Sequence, residues 1–180
     1  MTFHVSPHPA VDDRQASLPL IYRAAMRKLA GAVSILTVGE GESRTGLTAT
    51  SVSSLSVDPP VLIICVNRDA SARAEIERRN AFAINLLRPE HQEIADRFAG
   101  RGGIKGAARY QGAQWTTLET GAPVLSDALA VFDCAIDDLI ERHSHTIILG
   151  RVVAARVTEG AEPLLYWAGS YARLTRGAAE

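Results

Sequence analysis

Apolar positions along the chain change their spacing several times, and each change predicts an element. Between residues 20 and 30, Ile21, Ala25 and Leu29 recur every four positions while Arg23, Arg27 and Lys28 fall elsewhere, which predicts an amphipathic helix ended by Gly31. Residues 32–38 (AVSILTV) are strand-like, residues 39–43 are turn formers, and the stretch from Gly46 is expected to return as the second strand of a hairpin. In residues 48–56, seven of nine positions are Thr, Ser or Ala. A strand there presents hydroxyls and backbone amides without bulk. Asp58-Pro59-Pro60 stops it, since neither proline donates to a ladder. The all-apolar run 61–66 has the length and branching of a strand buried on both faces, closed by Asn67.

Further on, Asp69 or Ser71 is placed to cap a helix over residues 72–79, Asn80 to end it, and residues 81–87 read as a strand. Pro89 suits the first turn of another helix, with Ile94, Ala95 and Phe98 as its apolar face and Gly100 at its end. Periodicity then vanishes until about residue 127, and a loop of that length is expected to be functional or mobile. Its glycines are no dinucleotide fingerprint, because they follow a helix and open none. Residues 129–140 alternate, with Phe132, Cys134 and Ile136 against Asp133 and Asp137. Residues 145–157 form a long strand with a bulge at Gly150, and residues 163–168 form the last strand. Residues 1–17, which contain His4, Pro7, His8 and Pro9, lack any pattern and read as a flexible tail before a single domain spanning 18–175. The βαβα order of residues 61–99 fits a parallel sheet. The hairpins before it and the long alternating strands after it suit an antiparallel barrel with helices at its rim.

At 180 residues, with 47% hydrophobic and 22% charged, the chain can bury a core without staples. A net charge of -1 gives no general attraction to nucleic acid or to an anionic membrane, so an anionic ligand needs local donors. Cys65 and Cys134 lie in apolar runs and are expected to be buried thiols in a reducing cytoplasm, since residues 1–19 have no leader-like apolar segment. No apolar run approaches the roughly 20 residues of a membrane span.

Catalytic constellations are absent. There is no Gly-x-Ser-x-Gly elbow and no metal-spaced His/Cys cluster, and Asp137 and Asp138 point to opposite faces of a strand. What remains is a polar cradle at residues 48–56, which is either an ordinary Ser/Thr-rich edge strand or a surface for a flat ligand rich in acceptors. A cradle without acid, base or nucleophile fits a cofactor that does the chemistry while the protein supplies placement.

Several segments in order resemble one family. They are Tyr22-Arg23, Leu29-Ala30, Val33, the run from Gly46 to Leu55, Pro59-Pro60, Cys65-Val66-Asn67, Phe82-x-Ile84-Asn85-Leu86-Leu87, Gln92-x-x-Ala95-x-x-Phe98-Ala99-Gly100, His145 with Gly150 and Val152, and Pro163-Leu164-Leu165-Tyr166. Together they resemble the short flavin reductases, the reductase components of two-component flavin-dependent monooxygenases. The resemblance implies a mainly β, antiparallel Greek-key split β-barrel with peripheral helices that works as a homodimer. It implies FMN or FAD, with NADH or NADPH as hydride donor, and reduced flavin passed to an oxygenase partner. It also implies that Thr48, Ala49, Thr50, Ser51, Ser53 and Ser54 line the flavin, with Cys65 and Asn67 beside them, and that the flavin phosphate lies near residues 67–72, including Ser71 and Ala72. There a helix start offers free N–H groups, although Asp69 brings an unfavourable charge. Phe98 falls at a position close to the flavin or simply packs its helix.

His145 matches a histidine bordering the nicotinamide site, although Arg142-His143-Ser144 departs from the family pattern. It is either a positioning group or a surface residue. Arg101, Lys105 and Arg151 are either phosphate contacts or solvated charges. Two rival readings share the ligand: a reductase that keeps its flavin and acts on another acceptor such as a corrin, or a flavin-binding module without turnover.

Overall fold

The computed structural model describes residues 13–174. The expected metal-free histidines His4 and His8 lie outside them. The elements in chain order are α1 (Asp13–Met26), β1 (Gly31–Ala32), β2 (Ser34–Val38), β3 (Thr45–Ala49), β4 (Ser53–Val57), β5 (Pro60–Asn67), α2 (Arg73–Arg79), β6 (Ala81–Leu86), α3 (Gln92–Phe98), β7 (Trp115–Thr117), β8 (Pro123–Leu125), β9 (Ala130–Arg142), β10 (His145–Val157), β11 (Leu164–Trp167) and β12 (Ser170–Arg173). Every strand pairing is antiparallel, so the parallel alternative is overturned. No helix among the described residues is long and apolar enough to cross a membrane.

The main sheet has the strand order β3-β2-β6-β9-β10-β5-β4. Strands β3 and β4 were expected as one strand, yet they are the opposite edges of a seven-stranded sheet, and only residues 50–52 separate them. Edge-to-edge, a flat sheet of this size is about 29 Å wide, whereas the link from Ala49 to Ser53 reaches about 14 Å. The sheet must therefore curl until its edges nearly meet. No ladder joins those edges, which leaves a seam.

Curling gives the sheet an inside and an outside, and both are filled. Inside are Leu36, Leu62, Ile64, Phe82, Ile84 and Ile148, with Ile76 of α2 plugging one end. Outside, α3 and the segment between residues 101 and 125 cover β2, β6 and the start of β9 with Phe98, Tyr110, Val124 and Leu125. The segment, expected to be a functional or mobile loop, anchors itself in this core through Arg109, Tyr110 and residues 122–125 while much of the rest is exposed. Its glycines bend two short 3-10 turns before the β7–β8 hairpin. Double coverage is why all five residues of β2 are buried. It also buries Asp133, expected on a solvated face, whose carboxylate accepts the Thr120 N–H at 2.8 Å.

The buried Asn85 side chain is paired, as burial requires. The Asn85 amide donates to Ile35 O at 3.2 Å and to Thr37 Oγ1 at 3.0 Å, and its carbonyl accepts the Leu125 N–H at 2.7 Å. The expected bulge at Gly150 is present as a register shift between Leu149 and Gly150. A Cβ at Gly150 would lie 2.6 Å from the Phe82 ring.

Two boundaries differ from expectation. Helix α1 begins at Asp13, inside the stretch read as tail for its lack of hydrophobic periodicity, and runs through Pro19. It ends at Met26 because the carbonyls of Arg27 and Lys28 are taken by the β11–β12 hairpin, through the Ala168 N–H (3.0 Å) and the Trp167 indole (3.2 Å). Only its first half was expected, as a last strand over residues 163–168; left-handed Ala168 and Gly169 fold the chain back into β12.

Candidate functional site

The seam creates the site. Chain leaving β3 must reach β4 within three residues, so Thr50, Ser51 and Val52 join neither ladder and β4 pairs only with β5. Beside them is a cleft of about 1160 Å³. One wall is the end of α1 together with the β11–β12 tip (Trp167 to Gly169), which are hydrogen-bonded to each other. Leu86, Phe132, Val152 and Ala155 of the sheet also line it. Thr50, Ser51, Ser53, Ser54 and Ser56 contribute hydroxyls. The fit near the seam is close: a Cβ on Gly31 would stand 3.1 Å from Thr50 Cβ.

Among the described residues no Asp, Glu, His, Lys or Cys lines the cleft, and the charged ones that do are Arg23 and Arg27. It holds no group that would act as acid or base near neutral pH. Its volume, small hydroxyl side chains, open strand edge and lack of carboxylates fit a planar, acceptor-rich ligand carrying negative charge, the character of a flavin nucleotide.

Of the residues expected at the flavin, Thr50, Ser51, Ser53 and Ser54 line this cleft. The Thr48 hydroxyl instead donates to Ala95 O at 2.6 Å, fastening β3 to α3, and Ala49 packs against the core inside the curled sheet. Cys65 is exposed, contrary to the buried thiol expected, because it lies on the outward side of β5. Its carbonyl accepts Ser51 Oγ at 3.1 Å, linking it to the seam. From there the outward line of β5 runs to Asn67, which stands opposite His145 in the β5–β10 ladder. His145 Nδ1 is 2.9 Å from Ser144 Oγ, at the exposed start of β10. The ladder thus brings Ser51, Cys65, Asn67 and His145 onto one outer surface.

Residues 67–72 are less open than expected. The amides of Arg68, Asp69, Ala70 and Arg73 donate to Ser144 O, Asn67 Oδ1, Asn67 O and Ala70 O. Neither Asp69 nor Ser71 caps α2; Ala72 stands there without a side-chain cap, its own side chain buried in the core. Most donors in this loop are already used.

Phe98 is 2% exposed and packs its ring 5.0 Å from Tyr110 and 5.7 Å from Trp115. It holds the core and does not reach the cleft. Arg101 pairs with Asp96 at 3.1 Å, and Lys105 and Arg151 lie away from the cleft lining. The other strongly perturbed groups are structural. Burial, and then the Asp133 charge, push the Cys134 thiol up to about 12, which leaves it inert. Burial also lowers the affinity of the Arg109 guanidinium for its proton while that side chain donates to Gly46 O.

Periodicity did not indicate that Arg23, Arg27 and Trp167 would wall the site. The signal present in the sequence was two arginines one helical turn apart, followed far downstream by a Trp-Ala-Gly turn.

Residues 26–175 match the family described as Flavin reductase like domain. The FMN reductase (NADH) RutF 2 of Methylorubrum extorquens (strain PA1) is 43% identical over 164 residues, 91% of this chain and 94% of its own. The FMN reductase (NADH) RutF of Bradyrhizobium diazoefficiens is 37% identical over 153 residues, 85% and 84% of the two chains. Among solved structures, the Streptomyces globisporus C-1027 NADH:FAD oxidoreductase SgcE6, in complex with NAD and FAD fragments, has a TM-score of 0.81 at 29% identity. That match covers 96% of this chain and 100% of the other. BorF, the flavin reductase component of a bacterial two-component tryptophan halogenase, has a TM-score of 0.79 at 29% identity over 92% and 100%. With this match over nearly its whole length, the chain belongs to the flavin reductase like domain family.

Proposed function

We propose that this protein is an NADH-dependent flavin reductase that binds FMN, or FAD, in the cleft at the β3–β4 seam and delivers reduced flavin to a flavin-dependent oxygenase. The observation that carries the reading is the seam itself: hydroxyls of Thr50, Ser51, Ser53 and Ser54 and an unpaired strand edge face a large cleft free of carboxylates. A bound flavin supplies the electron-accepting ring, to which the nicotinamide passes hydride. The protein's part is placement. Thr50, Ser51, Ser53 and Ser54 hold the ring edge by hydrogen bonds. Cys65 and Asn67 continue that surface, and His145 at its far end orients the nicotinamide. Placement of two reactants in this way sets the rate.

NADH and FMN are favoured by the names of the relatives most similar in sequence, and the oxygenase partner by the family's two-component systems. The split barrel works as a homodimer in this reading, supported by the exposed Leu18, Leu20, Ile21 and Leu29 around α1 and Val57 on β4.

The test is steady-state oxidation of NADH and of NADPH by purified protein with FMN or FAD, on a sample whose sedimentation shows a dimer. Oxidation that requires added flavin, and is faster with NADH, is expected. No flavin-dependent oxidation with any of the four pairings overturns the reading, and bound flavin that NADH never bleaches would make the protein a carrier.

A further inference from the structure

Most arginine side chains among the described residues are engaged by protein partners. Arg68, Arg73, Arg78, Arg79, Arg88 and Arg101 each meet a carboxylate within 4.0 Å. The guanidiniums of Arg109 and Arg156 are bonded to carbonyls. The Arg23 side chain, like those of Arg97, Arg151 and Arg173, has neither an ion pair nor a hydrogen-bond partner among the described residues, and of these four Arg23 alone lines the cleft. Arg27, four residues on and just past the end of α1, donates from Nη2 to Ala168 O at 2.6 Å and meets no carboxylate. Both line the cleft, where no acidic residue opposes them.

Two like charges at i and i+4 on one helix face repel. Arg23 in the last turn of α1 and Arg27 just past its end both suit the helix dipole, but that holds for any face and does not explain why both turn to the cleft. Gly169 keeps the hairpin tip against Arg27, since a Cβ there would lie 3.0 Å from Arg27 Nη1. Trp167, half exposed beside it, gives the same rim an aromatic face. The cleft therefore combines a hydroxyl-bearing seam, an apolar lining and a cationic rim. By contrast, the loop at residues 67–72 has spent most of its amides on the protein and carries Asp69.

We propose that Arg23 and Arg27 form a phosphate clamp that takes the phosphate-ester end of a nucleotide bound in the cleft. Guanidinium forks suit this ligand because they pair with phosphate oxygens by charge-assisted, bidentate hydrogen bonds. The phosphate ester belongs either to the flavin nucleotide or to the pyridine nucleotide. The proposal rests on the reading of the cleft as a flavin site.

The experiment is a set of fluorescence titrations of wild type, Arg23→Ala, Arg23→Lys and Lys28→Ala with FMN, riboflavin and NAD. Circular dichroism confirms that each variant is folded. Lys28→Ala is the control, because it removes the same charge just past the end of the same helix from a residue that does not line the cleft. If the clamp holds the flavin phosphate, Arg23→Ala weakens FMN at least about tenfold and leaves riboflavin within about twofold, with Arg23→Lys between. If it holds the pyridine nucleotide, NAD weakens by that factor and both flavins are unchanged. All three ligands within about twofold of wild type overturn the clamp while leaving the flavin reading intact, and an equal loss in Lys28→Ala overturns it as mere long-range attraction. A wild-type protein that binds none of the three overturns the flavin reading and the clamp with it.

Discussion

Gly46 lies where β3 passes closest to α3, and no side chain fits there. A Cβ would collide with the Leu36 carbonyl and approach the Phe98 ring to 2.7 Å. The Gly46 carbonyl takes the Arg109 guanidinium, and the neighbouring Thr45 carbonyl takes the Tyr110 hydroxyl at 2.6 Å. Gly46→Ala must displace backbone or an aromatic cluster, at a cost of about 1–3 kcal/mol. Urea denaturation measures this, and an unchanged midpoint contradicts the packing described. At this scale the sequence was informative where a residue breaks its own pattern. Gly150 in a long strand marked a bulge, and Asn80 marked a helix end. It misled where two roles need the same chemistry: Phe98 on an apolar helix face reads alike as core or as ligand neighbour, and only its burial between Tyr110 and Trp115 decides.

Among elements, α2 is tied to its surroundings by charge. Glu75 accepts from Arg78 and Arg79 and from Ser43 Oγ at 3.1 Å, fastening the helix to the turn before β3. The Arg78 hydrogen bond, opposed by burial and aided by Arg79 and Ser43, lowers its carboxyl from 4.5 to about 2. The folded value lies below the unfolded one, so this stabilisation is complete above about pH 4.5 and is lost as pH falls toward about 2. Glu75→Gln is therefore expected to cost about 1 kcal/mol near neutrality and nothing near the acid end. Denaturation at a series of pH values checks it; parallel curves for the two proteins contradict it. Strand identities were legible from local spacing, as in residues 61–66 and 145–157. The division of the Ser/Thr-rich stretch into β3 and β4 was not, because both halves are good strand and the break is imposed by the far edges of the sheet. Helix α1 shows the same limit: its end is set by the hairpin that takes its carbonyls, more than 130 residues away along the chain.

For the whole molecule, the linkage of two distant sheet edges through residues 50–52 has two consequences. It curls the sheet around one core while α3 seals a second outside it, and it leaves a stretch of backbone and hydroxyls that no ladder uses. The cleft is a by-product of that geometry. This explains why local sequence signals showed the cradle but not its walls: Arg23, Arg27 and Trp167 reach the cleft from opposite ends of the chain.

The most direct measurement fills the seam. Ser53 is exposed on the cleft and away from both cores, so Ser53→Trp occupies the space without disturbing the packing. Titration of the folded variant with FMN and riboflavin is expected to show both weakened at least about tenfold relative to wild type, with NADH oxidation falling in step. Wild-type affinity for both flavins in folded Ser53→Trp would contradict the placement of the flavin at the seam.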